Sequence, residues 1–328
     1  MDLIIAVSRG KLSRLAVVVV VWMGLFVGCG EEEFSEEEEG PPVQEVEKPT
    51  ALPEIRLYSD QSPFNQKIPP DAELDPDSDR YIAALAGTLE HVTIQVGQYS
   101  APVYFADEQT PRHDVLLACG PEWEIGVSVL EAVPIPDYAE PADDRDGEVP
   151  LEGCAGSPDK DNNMVVIDLV NRCEYDFWQM RRENGQWVAS WGNALSIDGS
   201  GVFEQGLSAR GSGFAFLAGV IWPHELRQGE IPHALIFNLP ERFVRDGGPV
   251  PPATESDGIS WDPAALPEGA RLRLDPTLDL EALPMSPVER TIARAMQEYG
   301  LFLSDIGGGQ PVLALYAVDP AKRPGKSI

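Results

Sequence analysis

The sequence predicts a mainly β fold, an antiparallel β-sandwich with a C-terminal α-helix packed on it. Two observations support this prediction. Short segments rich in β-branched residues alternate with Gly, Pro or polar turns over most of the chain, which is typical of sandwich strands. Ser286-Pro287-Val288-Glu289 instead has the capping box and early proline that open a helix. Residues 53–328 are expected to form a single β-rich domain, because no second linker divides them.

The first 28 residues have the features of an export signal. Three basic side chains precede an apolar run over residues 15–27, which is short for a membrane span. The run ends Leu25-Phe26-Val27-Gly28-Cys29, which resembles the lipobox of bacterial lipoproteins, with Phe26 where Leu is more usual. The resemblance implies that residues 1–28 are a signal peptide and that Cys29 is lipidated; the alternative is an uncleaved anchor helix. Either arrangement places the body outside the cytoplasm.

Residues 29–52 are predicted to form an extended tether. They contain the acidic run EEEFSEEEE followed by PPVQEVEKPT, and self-repelling charge with prolines cannot bury a core. Gly30 follows the cysteine, which by the lipoprotein resemblance favours the outer membrane. We therefore expect a secreted chain that is lipid-anchored through Cys29 to the bacterial membrane, on its extracytoplasmic side.

The chain is strongly acidic, with 54 acidic and 24 basic residues and a formal net charge of −30. Such a surface repels nucleic acid and anionic lipid headgroups, and it disfavours polyanionic polysaccharides. The expected partners are therefore a neutral polysaccharide and the membrane reached through the lipid anchor, with no nucleic acid. Nothing in the sequence specifies an oligomeric state.

Four strands are predicted before the centre of the chain, over residues 88–96, 101–105, 114–117 and 125–129. A long loop rich in Pro, Asp and Gly then covers residues 134–163. Its acidic clusters offer oxygen ligands, so calcium binding is one interpretation and a solvated loop the other; they are Asp144–Glu148 and Asp159–Asn163. No other metal or cofactor is expected, since the sequence has neither CxxC nor HExxH.

Asn163–Leu195 is predicted to form three consecutive antiparallel strands. The Asn184-Gly185 dipeptide is a strong hairpin signal, and its two-residue turn sets the register of the second and third strands. That register has two consequences for the site: Trp178 lies opposite Trp191, and Asp176 lies opposite Asn193.

We infer the turn between the first and second of these strands by comparing the side chains that each possible register would bury. A three-residue turn at residues 170–172 pairs Asp168 with Glu174. A slip by one residue would place Glu174 and Asp176 beside aliphatic side chains, and burying carboxylates there is costly. We therefore expect an apolar core face and a second face of carboxylates among indole rings.

The later elements are a helical turn over residues 222–226, a strand over 231–239, a short strand over 271–274 and the helix that starts after Ser286. That helix is expected to end at Gly300 and to bury a stripe formed by Val288, Ile292, Ala295, Met296 and Tyr299. Strands over residues 301–303 and 312–317 are predicted to pair with each other across a Gly-rich turn.

The predicted face of acids and indoles indicates a carbohydrate site. Indole rings stack on apolar sugar faces, and paired carboxylates supply the acid and base of glycoside hydrolysis. Two apposed carboxylates also raise the pKa of one of them, as a general acid requires. The alternative is an ordinary sheet whose tryptophans pack under loops. The candidate catalytic residues are Glu174 and Asp168 as acid/base or nucleophile and Asp176 as support; the candidate substrate-binding residues are Trp178, Trp191, Asn193, Arg210 and His233.

Residues 173–180, CEYDFWQM, resemble the catalytic strand of laminarinase-type jelly-roll glycoside hydrolases, whose motif is E-x-D-x-x-E. The resemblance implies a jelly-roll-like sandwich in which Glu174 is the nucleophile and Asp176 assists. Gln179 stands where that family has its acid/base glutamate, and an amide cannot donate the proton. Either Asp168 takes that role or the site only binds. The segments SARGSGF, GVIWPHEL and HAL also resemble secreted bacterial proteins of unassigned function, which implies no chemistry.

Three cysteines follow Cys29, and an oxidising compartment favours one disulfide among them. Cys119 and Cys154 both lie beside glycine in loop-like surroundings, so this pair is preferred and Cys173 is expected to be a core thiol.

The predicted function is hydrolysis of a polysaccharide. The alternatives are a non-catalytic glycan-binding lipoprotein and a structural surface lipoprotein.

Overall fold

A computed structural model describes residues 4–7, 54–96, 99–124, 127–142, 152–156, 160–204, 208–308 and 310–318. Across these ranges the fold is mainly β, as predicted, with strands arranged in three mixed sheets. The predicted lipobox with Cys29, the acidic tether and the Asp144–Glu148 cluster lie outside the described residues. None of the helices within these ranges has the length and apolar character needed to span a bilayer.

The strands, in chain order, are β1 Ile4–Val7, β2 His91–Gln95, β3 Val103–Ala106, β4 Arg112–Leu117, β5 Val129–Pro134, β6 Met164–Asp168, β7 Cys173–Trp178, β8 Arg181–Glu183, β9 Gln186–Ala189, β10 Trp191–Ser196, β11 Leu235–Pro240, β12 Arg271–Leu274, β13 Leu301–Gly307 and β14 Val312–Tyr316. The α-helices are α1 Ser78–Ala86, α2 Pro223–Gln228 and α3 Pro287–Glu298, and short 3₁₀ turns cover Pro63–Asn65, Glu241–Phe243 and Leu280–Ala282. β1 falls within the predicted export signal and pairs with β12 at the edge of its sheet.

The three sheets are stacked through shared apolar cores. The first sheet has the order β1-β12-β13-β11-β14-β2, the second β10-β7-β6-β3 and the third β5-β4-β9-β8. One core joins α1 and α3 to the first sheet, and another joins the first sheet to the second through the segment 214–222. A third core joins the second sheet to the third. Each face of the second sheet is therefore covered.

The expectation of purely antiparallel sheets is wrong. Among the strands that the structure describes, five neighbouring pairs are parallel: β1–β12, β2–β14, β3–β6, β4–β9 and β11–β13. The order of the chain explains the β3–β6 pair, because β4 and β5 form in the third sheet before the chain returns beside β3. Parallel neighbours need such long connections. Local turn signals do not reveal them.

The C-terminal helix is confirmed. Ser286 Oγ accepts the Glu289 N–H at 3.2 Å, and a Glu289 carboxylate oxygen accepts the Ser286 N–H at 2.6 Å. A cap of this kind stabilises a helix by about 1 kcal/mol. Ile292 and Ala295 are buried, as the predicted stripe requires. The first helix, Ser78–Ala86, was not predicted.

The predicted pairing of the two C-terminal strands is wrong, because β11 lies between them. β11 pairs in parallel with β13 on one side and antiparallel with β14 on the other. Every residue of β11 is buried, which is typical of a central strand covered on both faces.

β7 and β10 pair in the predicted register, with Trp178 opposite Trp191 and Asp176 opposite Asn193. The expectation of three consecutive strands is wrong, because β8 and β9 lie between β7 and β10, form the hairpin and belong to the third sheet. The hairpin between β6 and β7 does not have the predicted register. Ile167 lies opposite Glu174, and Asp168 lies opposite Cys173. The register rejected in the sequence argument is therefore the one adopted.

Turn chemistry explains this register. Asp168 closes a four-residue turn, because its Oδ1 accepts the backbone N–H groups of Val170 at 2.9 Å and Asn171 at 3.0 Å. Aspartate often forms turns in this way. The longer turn shifts β7 by one residue and directs Glu174 and Asp176 toward the core that the first and second sheets share.

The predicted disulfide is confirmed between Cys119 and Cys154. Cys173 is a half-buried free thiol. Burial raises the pKa of this thiol to about 11, so it stays protonated at neutral pH and is a poor nucleophile.

Candidate functional site

Glu174 and Asp176 form a buried carboxyl pair, and both residues are 0% exposed. The Tyr58 hydroxyl donates to Glu174 Oε2 at 2.6 Å, and the Leu217 N–H donates to Oε1 at 3.0 Å. The Phe216 N–H donates to Asp176 Oδ2 at 2.8 Å. These donors come from distant segments and satisfy three of the four carboxylate oxygens, whereas Asp176 Oδ1 has no hydrogen-bond partner among the described residues.

Burial makes both carboxyl groups of the pair harder to ionise than they are in water. Burial raises the pKa of Asp176 well above its ordinary value, and the Glu174 charge raises it further. Burial also raises the pKa of Glu174, but the neighbouring Asp176, Tyr58 and Leu217 oppose that shift. Two adjacent carboxyl groups in an apolar core cannot both ionise at low cost.

Arg210 lies beside this pair and is almost fully buried. Its Nη2 donates to the Phe216 carbonyl at 2.9 Å, and its guanidinium lies 4.0 Å from the Phe216 ring centroid. The guanidinium charge lowers the pKa of both carboxyl groups, although less than burial raises them. The structure therefore brings together three residues that the sequence selected.

Asn193 lies opposite Asp176 and is buried, but neither atom of its side-chain amide has a hydrogen-bond partner among the described residues. The same is true of Arg210 Nε. Buried polar groups without protein partners commonly bind ordered water. The neighbourhood of the carboxyl pair is therefore polar, although no part of the pair reaches the surface.

Asp168 is separate from this network, and the predicted Asp168–Glu174 carboxylate pair is wrong. Asn171 and Arg112 donate to Asp168 Oδ2 at 2.8 and 3.1 Å. Burial alone would raise the pKa of Asp168, but the bonds from Asn171 and Arg112 lower it below the ordinary value. This carboxylate stays ionised and cannot serve as a general acid at neutral pH.

Three tryptophans, Trp123, Trp178 and Trp191, form what we call the indole patch. The Trp123 ring centroid lies 6.5 Å from that of Trp178 and 6.0 Å from that of Trp191. Trp123 is 45% exposed, whereas Trp191 is buried. Trp178 Nε1–H donates to Asp161 Oδ1 at 3.2 Å, so a carboxylate adjoins the rings. The sequence argument predicted the Trp178–Trp191 neighbourhood but missed Trp123.

Trp123 is positioned by the disulfide region. Its backbone N–H donates to the Cys119 carbonyl at 2.8 Å, and Cys119 is bonded to Cys154. The sequence contained one signal for Trp123, namely a tryptophan within the turn-forming stretch Gly120–Glu124. That signal is weak, because single exposed tryptophans are common.

A second acidic group, which we call the acidic triad, consists of Asp257, Glu268 and Asp305. One carboxylate oxygen from each residue lies within 4.8 Å of the others. Burial and the Asp257 charge raise the pKa of Glu268 to about 9, and the pKa of Asp305 is raised for the same reasons. The Asp161 charge also raises the pKa of Asp305, although less than burial and the charges of Asp257 and Glu268 do.

Sequence reasoning missed the acidic triad because its members are far apart in the chain and follow no spacing motif. One signal was present. Asp305 interrupts the apolar strand Leu301–Gly307, and an acid in such a strand needs a partner.

His233 lines a separate cavity of about 240 Å³. Its Nε2 lies 2.9 Å from Glu225 Oε1, and its Nδ1 lies 2.9 Å from the Ala234 carbonyl. Both partners are acceptors, so the ring must donate from both nitrogens and is an imidazolium. Burial lowers the pKa of His233, but the Glu225 carboxylate outweighs that effect and raises it. Tyr58 and Leu217 line this cavity and also contact Glu174.

No protein-family model, curated protein or solved structure matches the chain.

Proposed function

We propose that the chain is a lipid-anchored extracytoplasmic protein that binds a neutral polysaccharide through the indole patch. The observation that carries this proposal is the exposed ring of Trp123 beside Trp178 and Trp191. An accessible indole offers an apolar plane for a sugar ring, and neighbouring carboxylates accept hydrogen bonds from sugar hydroxyls. Asp161 is one such carboxylate, since it already accepts from Trp178.

The frame around the patch supports this function. Trp123 is tied to Cys119, and the disulfide links that turn to the segment of Cys154. A rigid platform loses little conformational entropy on binding, which favours affinity. A structural disulfide also suits the oxidising environment outside the cytoplasm, in agreement with the lipobox resemblance at Cys29.

The strong negative charge supports a neutral ligand. A polyanion would approach a surface of its own sign, and the resulting repulsion would slow and weaken association. Neutral glucans, xylans or mannans carry no such penalty. We therefore place neutral glycans first among the candidate ligands.

Glycoside hydrolysis is the second candidate. The observation that favours it is the raised pKa of the two neighbouring carboxyl groups of Glu174 and Asp176, because a general acid needs a raised pKa. The jelly-roll resemblance of residues 173–180 points the same way. Against it, both groups are 0% exposed, and a polysaccharide would have to displace packed chain to reach them. Binding without hydrolysis is the better supported function.

A panel of neutral and acidic polysaccharides separates these functions. Retention of the purified protein on each glycan is measured together with the release of reducing ends. Retention on a neutral glycan without new reducing ends supports the binding function, and release that is lost in Glu174→Gln supports hydrolysis. If the protein is not retained on any glycan and no reducing ends are released, both functions are rejected.

A further inference from the structure

We propose that the acidic triad of Asp257, Glu268 and Asp305 binds a divalent cation of the calcium class. The proposal goes beyond glycan binding and rests on other residues. Its residues also differ from the two acidic clusters that the sequence suggested for calcium, Asp144–Glu148 and Asp159–Asn163. The three triad residues come from a loop, from the turn before β12 and from β13.

The spacing of the triad fits one ion. The carboxylate oxygens lie within 4.8 Å of one another. Calcium binds oxygen at about 2.3–2.6 Å, so two ligands of the same ion are separated by at most about 5 Å. Three carboxylates at this distance can therefore contact a single cation. Without an ion, like charges at this distance repel one another.

A second observation concerns Glu268, which is 0% exposed. Its Oε2 accepts the Asp257 N–H at 3.1 Å, whereas its Oε1 has no hydrogen-bond partner among the described residues. A buried carboxylate oxygen without a donor is costly, and a cation would supply the missing partner. The orphan oxygen belongs to the most deeply buried carboxyl group of the triad.

Gly211 packs against the Asp257 carboxylate of the triad. A side chain at Gly211 would place its Cβ 2.5 Å from Asp257 Cγ, so it would displace that carboxylate. The Ser212 N–H donates to the Ser304 carbonyl at 3.2 Å, next to Asp305. The Ser212 hydroxyl is buried and has no partner within the described ranges. Neutral oxygens commonly complete a calcium site.

Accessibility and ligand chemistry favour calcium over magnesium. Asp257 is exposed and Asp305 is half-buried, so an ion can enter from solvent. Magnesium retains several waters and requires near-octahedral geometry, whereas calcium tolerates irregular clusters of carboxylates. An extracytoplasmic location would also expose the site to the higher calcium concentrations that weak extracellular modules use.

Calorimetric titration of the chelator-treated full chain with calcium chloride, and separately with magnesium chloride, tests this proposal. We expect one calcium per chain, with weaker magnesium binding.

Asp257→Asn and Asp305→Asn should each lower the calcium affinity at least tenfold, whereas Glu73→Gln, which changes an exposed acid elsewhere, should not change it. Asp257→Asn alters an exposed side chain, so it keeps the test valid if Asp305→Asn fails to fold. Calcium binding of unchanged affinity in both folded variants, or no binding at millimolar calcium, would overturn the proposal. Glycan retention is scored separately, and its failure would leave this result unaffected.

Discussion

The Tyr58 hydroxyl donates to Glu174 Oε2 at 2.6 Å inside the core, although the two residues are 116 positions apart in the chain. Asp176 leaves the same face of β7 and accepts the Phe216 N–H, and Glu174 also accepts the Leu217 N–H. The register expected from the sequence excluded buried carboxylates. Here they are structural groups whose cost is offset by specific partners.

The hydrogen-bond partners of Glu174 and Asp176 predict unequal responses to two isosteric changes. Asp176→Asn keeps an acceptor for the Phe216 N–H and removes the cost of burying a charge, so it should change the free energy of unfolding by less than about 1 kcal/mol. Glu174→Gln replaces one of two acceptor oxygens by an NH₂ group that faces a donor, and should cost about 2–3 kcal/mol. Chemical denaturation at neutral pH measures both. Equal destabilisation by the two variants would contradict this difference between the two carboxyl groups.

The imidazolium of His233 predicts a pH-dependent stability. The Glu225 carboxylate raises its pKa above the ordinary 6.5. The stabilisation is therefore fully present below pH 6.5, the pKa of the unfolded chain, and is lost as the pH rises through the folded pKa. His233→Gln should remove this component and flatten the profile of unfolding free energy above neutral pH. An unchanged profile in the variant would exclude His233 as its source.

The Asp168 turn predicts that this residue holds the hairpin register. Asp168→Ala removes the acceptor of the Val170 and Asn171 N–H groups and should destabilise the fold by about 2 kcal/mol. Asp168→Asn keeps one oxygen and should cost less. Because the folded pKa is lowered, the carboxylate's contribution is present above its ordinary pKa of 3.8 and is lost as the pH falls through the folded value. Acid titration of wild type and Asp168→Asn checks this sign.

The disulfide predicts a link between stability and glycan retention. Cys119 and Cys154 are separated by 35 residues, and removing such a cross-link should cost about 3–4 kcal/mol by the chain-entropy model. The double change to serine should also loosen the turn that positions Trp123 and weaken retention. Cys173→Ser is the matched control, since that thiol is free. Full retention in the double variant would show that the patch does not depend on this frame.

Local signals predicted much of the fold. The capping box at Ser286 gave the start of α3, and Asn184-Gly185 gave the register between Trp178 and Trp191. Parallel pairs such as β2–β14 were missed because their strands are far apart in sequence. Long-range contacts of this kind leave no periodic trace in either strand.

The candidate site could be predicted only in part, because many of its contacts are also between residues far apart in the sequence. Glu174, Asp176 and Arg210 do meet, but their burial depends on Tyr58, which is 116 residues from Glu174. The acidic triad depends on three separated segments. Turn chemistry at Asp168 was visible in the sequence and would have corrected the first hairpin, had the side chain been counted as a turn acceptor.

Retention on neutral glycans by two tryptophan variants tests the central claim most directly. Trp123→Ala removes the exposed ring of the indole patch, and Trp261→Ala removes a ring that is 86% exposed elsewhere. Affinity electrophoresis in gels that contain the neutral glycan selected from the panel should show at least tenfold weaker binding for Trp123→Ala and wild-type binding for Trp261→Ala. Equal binding by wild type and Trp123→Ala would contradict the account.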